Sequence, residues 1–132
     1  MTDGSGAARR VLVVEDSMII ALDTEECLLA LGALEVAVEG TVAGALAAMA
    51  AGAFDFALLD FNLGSESSEP VAAALRERGI PFWLATGYGE MAAQVEAIGA
   101  RGLLVKPYGR NELVRIMNEF SAPGDAGGEA GA

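Results

Sequence analysis

The chain has 132 residues, room for one domain with a substantial core and not for two. Nineteen acidic residues stand against eight basic ones, a formal charge of −11; nucleic-acid binding, which needs clustered Lys and Arg to neutralise phosphates, is not expected. Histidine is absent, which excludes Ser-His-Asp and Cys-His hydrolases and histidine-ligated zinc, and leaves any histidine chemistry to a partner.

Residues 1–9, rich in Gly, Ala, Ser and Asp, read as a disordered tail, and "MTDGSGAARR" holds no apolar stretch of the kind a secretion signal needs. "RVLVVE" (10–15) is a short β-branched run, hence a buried first strand. Ser17 is placed to cap a helix over about 18–31, and Gly32 to end it. Cys27 falls among that helix's apolar residues and is expected in the core. As a lone cysteine it excludes an internal disulfide and fits a reducing compartment. "LEVAVE" (34–39) alternates like a strand near a sheet edge, and Thr41 caps an alanine-rich helix to about 51. "FDFALLD" (54–60) is the third strand. Ser65, Ser67 and Ser68 read as loop and cap residues, and Pro70 suits the first turn of a helix over about 69–78. "IPFWLAT" (80–86) is the fourth strand, with Phe82 and Trp83 as packing residues, and "MAAQVEAI" (91–98) is a weak helix. "RGLLVK" (101–106) is the fifth strand. Leu113, Ile116, Met117 and Phe120 keep the i, i+3, i+4, i+7 spacing of a last helix near 109–120. Residues 121–132 read as a second disordered tail. No apolar run reaches the roughly 18 residues a membrane span needs, so the expectation is a soluble, cytoplasmic protein with no membrane contact.

This is a strand–helix pair repeated five times with short connections. Strands apolar throughout, rather than alternating, are those of a parallel sheet covered on both faces. The expected fold class is α/β: a doubly wound five-stranded parallel sheet of order 2-1-3-4-5, flavodoxin-like, over residues 10–120. Right-handed crossovers put every strand's C-terminal end on one edge, and the ligand crevice falls at the reversal of order, between strands 1 and 3.

The residues at that edge carry chemistry. Strand 1 ends in Glu15 and Asp16, strand 3 in Asp60, strand 4 in Thr86 and strand 5 in Lys106. Three converging carboxylates repel unless a cation intervenes. A hard divalent ion with oxygen ligands, most simply Mg²⁺, answers that, and together with the Lys106 ammonium brings the site to neutrality. Such a site accepts a dianionic group, and the chemistry that fits is phosphoryl transfer to a carboxylate. Asp60, on the central strand, is the expected nucleophile. Glu15 and Asp16 are better placed to hold metal, Lys106 to stabilise charge on the phosphoryl oxygens, and the Thr86 hydroxyl to hydrogen-bond one of them. Gly87 leaves room for the incoming group. The plainer readings are that Glu15 and Asp16 are helix N-terminal acids, Asp60 a turn residue, Thr86 a strand-end hydroxyl and Lys106 a surface lysine.

The set "VVEDS", "LLDFNLG", "LATGYG" and "LVKPY" resembles the receiver domain of two-component response regulators over about residues 10–120. "PFWLATGYG" with "KPY" further resembles the FAT-GUY subclass of receivers. The resemblance implies that Asp60 takes a phosphoryl group from the phosphohistidine of a sensor histidine kinase. It implies Mg²⁺ held directly by Asp16 and Asp60, by Glu15 through water, and by the backbone carbonyl of Asn62. It also implies that Thr86 is the switch hydroxyl, that Lys106 pairs with the phosphoryl group, and that the Lys106–Pro107 bond is cis. Tyr88, two past Thr86, matches a receiver position that tunes dephosphorylation. A downstream protein partner would meet the helix 4–strand 5–helix 5 face.

One position departs from the common receiver pattern: Leu103 stands where most receivers carry an aromatic switch residue. The subclass lacks that aromatic too. "TGYGE" (86–90) and the helix after it are then the expected mobile element, loosened by Gly87 and Gly89. The reading is of a single-domain phosphorylation switch or phosphate sink, complete from Met1 to its polar tail and not an enzyme beyond its own phosphorylation and dephosphorylation. The alternative is a pseudo-receiver interaction module that works without phosphorylation. A haloacid-dehalogenase-type enzyme would have an acid where Asn62 stands, and a flavodoxin-like carrier a hydroxyl- and glycine-rich loop where "EDSMII" stands.

Overall fold

The computed structural model describes residues 9–87 and 98–121. Strand β1 (Arg10–Val14) leads to α1 (Met18–Ala30), and β2 (Glu35–Glu39) to α2 (Val42–Ala51). Strand β3 (Phe56–Asp60) is followed by two short strands, β4 (Asn62–Leu63) and β5 (Glu66–Ser67), before α3 (Glu69–Glu77). Then come β6 (Phe82–Thr86), β7 (Gly102–Val105) and α4 (Arg110–Ser121). The five-stranded sheet has order β2-β1-β3-β6-β7 and every pairing in it is parallel. This is the expected doubly wound order, because β4 and β5 form a separate antiparallel pair outside the main sheet. The expected helix over 91–98 lies almost wholly outside the described residues, as do Tyr88, the greater part of "TGYGE", and the tails apart from Arg9 and Ser121.

The sequence makes this sheet in a direct way. Val11 and Val13 face one side and Leu12 and Val14 the other, and all four are buried. Successive side chains of a strand point to opposite faces, so a strand apolar on both must be covered on both. Leu12, Val14, Ala57, Leu59, Phe82 and Leu84 pack with Ala45 and Met49 of α2 and Val71, Ala72 and Leu75 of α3. Val11, Val13, Phe56, Leu58 and Trp83 pack on the other side with Leu28 of α1 and Leu113, Ile116 and Met117 of α4. Phe56 and Trp83 meet edge to face, centroids 5.8 Å apart. The expected apolar spacing in the last helix thus holds at Leu113, Ile116 and Met117; the side chain of Phe120 lies outside the described set. Cys27 is only half-buried at the margin of this second cluster.

Local chemistry sets the element ends. The Thr41 hydroxyl accepts the Gly44 N–H at 3.0 Å, as a cap should. Ser17 stands at the N-cap of α1, but its side chain makes no capping bond. Its own N–H instead donates to Glu15 Oε2 at 3.0 Å. At α3 the Glu69 N–H is accepted by Ser67, while the Ser68 hydroxyl, at the cap position, turns inward to donate to the Phe61 carbonyl. Strands β3 and β6 begin two residues later than the apolar runs suggest. Asp55 spends its carboxylate on the Arg10 N–H, and Pro81 has no N–H to give a ladder. Among the described residues no helix is long and apolar enough to cross a membrane.

Helix α4 starts with half of a capping box: the Gly109 N–H donates to Glu112 Oε1 at 2.9 Å. That bond holds the Glu112 carboxyl below the usual carboxylate range. A depressed acid contributes stability that is present above its unfolded value and lost as pH falls through its folded one. Thermal unfolding should therefore show Glu112→Gln less stable than the parent at neutral pH, with the gap closing below about pH 4. A gap independent of pH would remove the charge from the account of this helix start.

Candidate functional site

Register places the functional side chains. Val14 pairs with Leu59, Asp60 with Ala85, and Thr86 with Val105. The residue after β1 (Glu15), the last of β3 (Asp60), the last of β6 (Thr86) and the residue after β7 (Lys106) therefore emerge at one level of one edge. Backbone bonds carry the register past the strand ends: Glu15 N–H to Glu39 O at 2.9 Å, Phe61 N–H to Ala85 O at 2.8 Å, and Lys106 N–H to Thr86 O at 2.7 Å. The β1–β3 adjacency is the reversal of strand order, where a doubly wound sheet opens a crevice.

Glu15, Asp16 and Asp60 each present a carboxylate oxygen, and these oxygens lie within 4.8 Å of one another. Glu15 and Asp60 are buried and Asp16 is exposed. Lys106 Nζ reaches across the buried pair, 2.8 Å from Glu15 Oε1 and 2.9 Å from Asp60 Oδ2. The second oxygen of each acid takes a backbone N–H: Glu15 Oε2 from Ser17 and Asp60 Oδ1 from Asn62, the latter at 3.3 Å. Each buried carboxylate is thus aimed by one ammonium and one backbone donor. Asn62 opens β4, and its N–H orients the acid two residues before it. Thr86 is buried at the end of β6, on the strand next to Asp60. The Lys106–Pro107 bond is cis. Leu103 lies half-buried on β7 and packs against the α2–α3 side of the core.

Electrostatics divide the site. Burial pushes the Glu15 carboxyl up from the ordinary glutamate value; the bond from Lys106 opposes this and the nearby Asp60 charge reinforces it. Burial works against the Lys106 ammonium, but its bonds to Glu15 and Asp60 outweigh that and hold it above the usual lysine value. One ammonium cannot neutralise three carboxylates, so two negative charges remain at this edge when all three acids are ionised. The donors are oxygens only, which matches a hard cation and not a soft one.

Several contacts around the site had no clear signal in the sequence. Gly64 turns the β4–β5 hairpin at φ 67°, and a Cβ there would come 3.4 Å from Asp16 Oδ2. The hairpin backbone thus runs close beside that carboxylate, in a left-handed conformation that favours glycine. Glu66 Oε1 accepts the Val42 N–H at 3.1 Å, tying the same hairpin to the start of α2. The Tyr108 and Thr24 hydroxyls lie 2.9 Å apart. The one available hint was positional: Thr24 shares the i, i+3, i+7 face of α1 with buried Ala21 and Leu28, and a polar group on such a face needs a partner.

The comparisons agree with this geometry. The response regulator receiver domain family matches residues 11–118. A response regulator receiver domain protein (CheY-like) from Methanospirillum hungatei is similar at 26% identity, over 88% of this chain and 95% of that one, with a TM-score of 0.78. The chemotaxis protein CheY4 of Vibrio cholerae is similar at 26% identity, over 84% and 97%, with a TM-score of 0.75. The response regulator TrrA of Thermotoga maritima shares the fold at 24% identity, over 85% and 98%, with a TM-score of 0.75. No curated protein matches the chain. The family match takes in almost all of the five-stranded sheet and the acidic edge built on it, and the chain belongs to the response regulator receiver domains.

Proposed function

We propose that Asp60 accepts a phosphoryl group from a phosphohistidine of a sensor histidine kinase, with Mg²⁺ bound at the acidic edge. The observation that carries this reading is the meeting of Glu15, Asp16 and Asp60 around one lysine at the strand-order reversal. The residual double negative charge and the all-oxygen donor set fit a divalent hard cation. Asp16, Asp60, Glu15 and the Asn62 carbonyl would hold it, Glu15 through water; when bound it would draw charge from the phosphoryl oxygens. The Thermotoga maritima TrrA structure is a complex with Mg(2+)-BeF, and the same cation is proposed here on the chemistry of the donors.

In the transfer, an Asp60 carboxylate oxygen forms a bond to phosphorus as the phosphorus–nitrogen bond of phosphohistidine breaks. The electron pair of that bond leaves with the imidazole, which departs neutral, protonated on its other nitrogen. This chain has no histidine of its own to serve as donor. Lys106 stays beside the acceptor and stabilises charge on the phosphoryl oxygens, and the Thr86 hydroxyl donates to one of them. Water later cleaves the acyl phosphate and restores the Asp60 carboxylate. The chain acts on itself and turns over no separate substrate.

The chain would be a cytoplasmic regulator of the FAT-GUY subclass, with a receiver over 10–120 between tails at 1–9 and 121–132. It works as a switch or a phosphate sink, with its output partner on the face of the expected helix over 91–98, β7 and α4. Leu103, an aliphatic residue in the position of the usual aromatic switch, supports the subclass. Residues 86–90 and the segment after them then carry the change of state, and Tyr88 sets the rate of dephosphorylation.

Acetyl phosphate with Mg²⁺ should add one phosphoryl mass to the chain, and both Asp60→Asn and removal of Mg²⁺ by EDTA should abolish it. An adduct that survives in Asp60→Asn would sink the reading, and no adduct with acetyl phosphate or a kinase would favour an interaction module that works without phosphorylation. Lys106→Met should slow phosphorylation about 100-fold, the usual cost of losing one charge-stabilising donor. The same variant should bind Mg²⁺ more tightly in calorimetry, because three acids then lack their ammonium; weaker binding would show that Lys106 does not offset the acids.

A further inference from the structure

Resting on the phosphoryl-acceptor reading, we infer that Thr24 and Tyr108 are a pair of positioning residues that hold Lys106 against the acceptor. Lys106 lies beyond the end of β7 in the segment that leads to α4, so the sheet's hydrogen bonds fix its backbone only through its own N–H. Two residues later, Tyr108 packs its ring against the α1–α4 side of the core. Its hydroxyl lies 2.9 Å from the Thr24 hydroxyl, 84 residues away in the chain. Thr24 itself is 4% exposed and sits on α1.

The helix carrying Thr24 begins at Met18, two residues after Asp16. The hydroxyl pair therefore bridges the element that follows the acid pair to the segment that carries the lysine. A cleft of about 370 Å³ separates those two walls, with Ile19, Ile20 and Thr24 on one and Lys106 and Tyr108 on the other. Across that gap the Thr24–Tyr108 bond ties the lysine segment to α1. A long, flexible lysine on a loose segment would sample many places, and fixing its root raises the fraction of time Nζ spends where charge develops. The acids keep the β1 and β3 register and their backbone donors when the pair is lost, so transfer should slow while cation binding does not weaken.

The experiment uses the full chain with acetyl phosphate and Mg²⁺. Tyr108→Phe and Thr24→Val each remove one hydroxyl while keeping shape, and Thr24→Ser keeps the hydroxyl. Each single loss should lower the limiting rate of Asp60 phosphorylation about tenfold, while the calorimetric Mg²⁺ affinity does not fall. The double variant should be no slower than either single one, and Thr24→Ser should stay close to the parent. Unchanged rates in both single variants, multiplying losses in the double, a Mg²⁺ affinity that falls in step with rate, or a Thr24→Ser as slow as Thr24→Val would each overturn the pairing. If Thr24→Val does not fold, Tyr108→Phe and Thr24→Ser still decide. A parent chain that takes no phosphoryl group from acetyl phosphate or a kinase would instead end the functional reading and this inference with it.

Discussion

Three carboxylates share one sheet edge with a single ammonium, and that imbalance organises the molecule's chemistry. At separations under 5 Å, like charges in partly buried surroundings cost on the order of a few kcal/mol per pair. Lys106 relieves part of this by bonding Glu15 and Asp60 together. Glu15 still feels its burial, which lifts its carboxyl above the ordinary value. Under the proposed function, a site held in this condition would take up a cation and an incoming anion that spreads its charge over several oxygens. A fully neutralised salt-bridge cluster would have no such appetite.

The scaffold keeps the imbalance in place. Parallel pairing brings the strand ends to one level, and the apolar residues of β1, β3 and β6 lock that level by packing on both faces. The loops after the strands are tied down by single polar contacts. Ser68 donates to the Phe61 carbonyl, Glu66 accepts from Val42, and Gly64 lets the hairpin pass beside Asp16. Lys106 is carried on a connection that has no hairpin to brace it, and the Thr24–Tyr108 contact braces it there.

The same details separate this edge from those of other doubly wound folds. A flavodoxin-like carrier would need a phosphate loop after β1, where this chain places two acids and the start of α1. A dehalogenase-type enzyme would place an acid at Asn62, whose N–H here steadies Asp60. Fold alone would not choose among these, since many chemistries share it. The residue types at four strand ends choose.

The fold class, the strand order and the convergence of Glu15, Asp16, Asp60 and Lys106 were legible in the sequence. Each strand is an apolar run that ends abruptly, and parallel βα topology sends all such ends to one edge whatever the loops do. Helix caps were legible less evenly: Thr41 caps as expected, the Ser17 side chain makes no capping bond, and the Ser68 hydroxyl is drawn to the Phe61 carbonyl instead. What only the tertiary structure decided are the contacts between segments far apart in the chain. These are the lysine's two hydrogen-bonded ion pairs, one to Glu15 and one to Asp60, the hairpin laid beside Asp16, and the hydroxyl pair of Thr24 and Tyr108. Such contacts depend on distances of a few ångströms between loops and helix faces. Periodicity reports which face a residue takes; it holds no information about which remote atom waits on the other side.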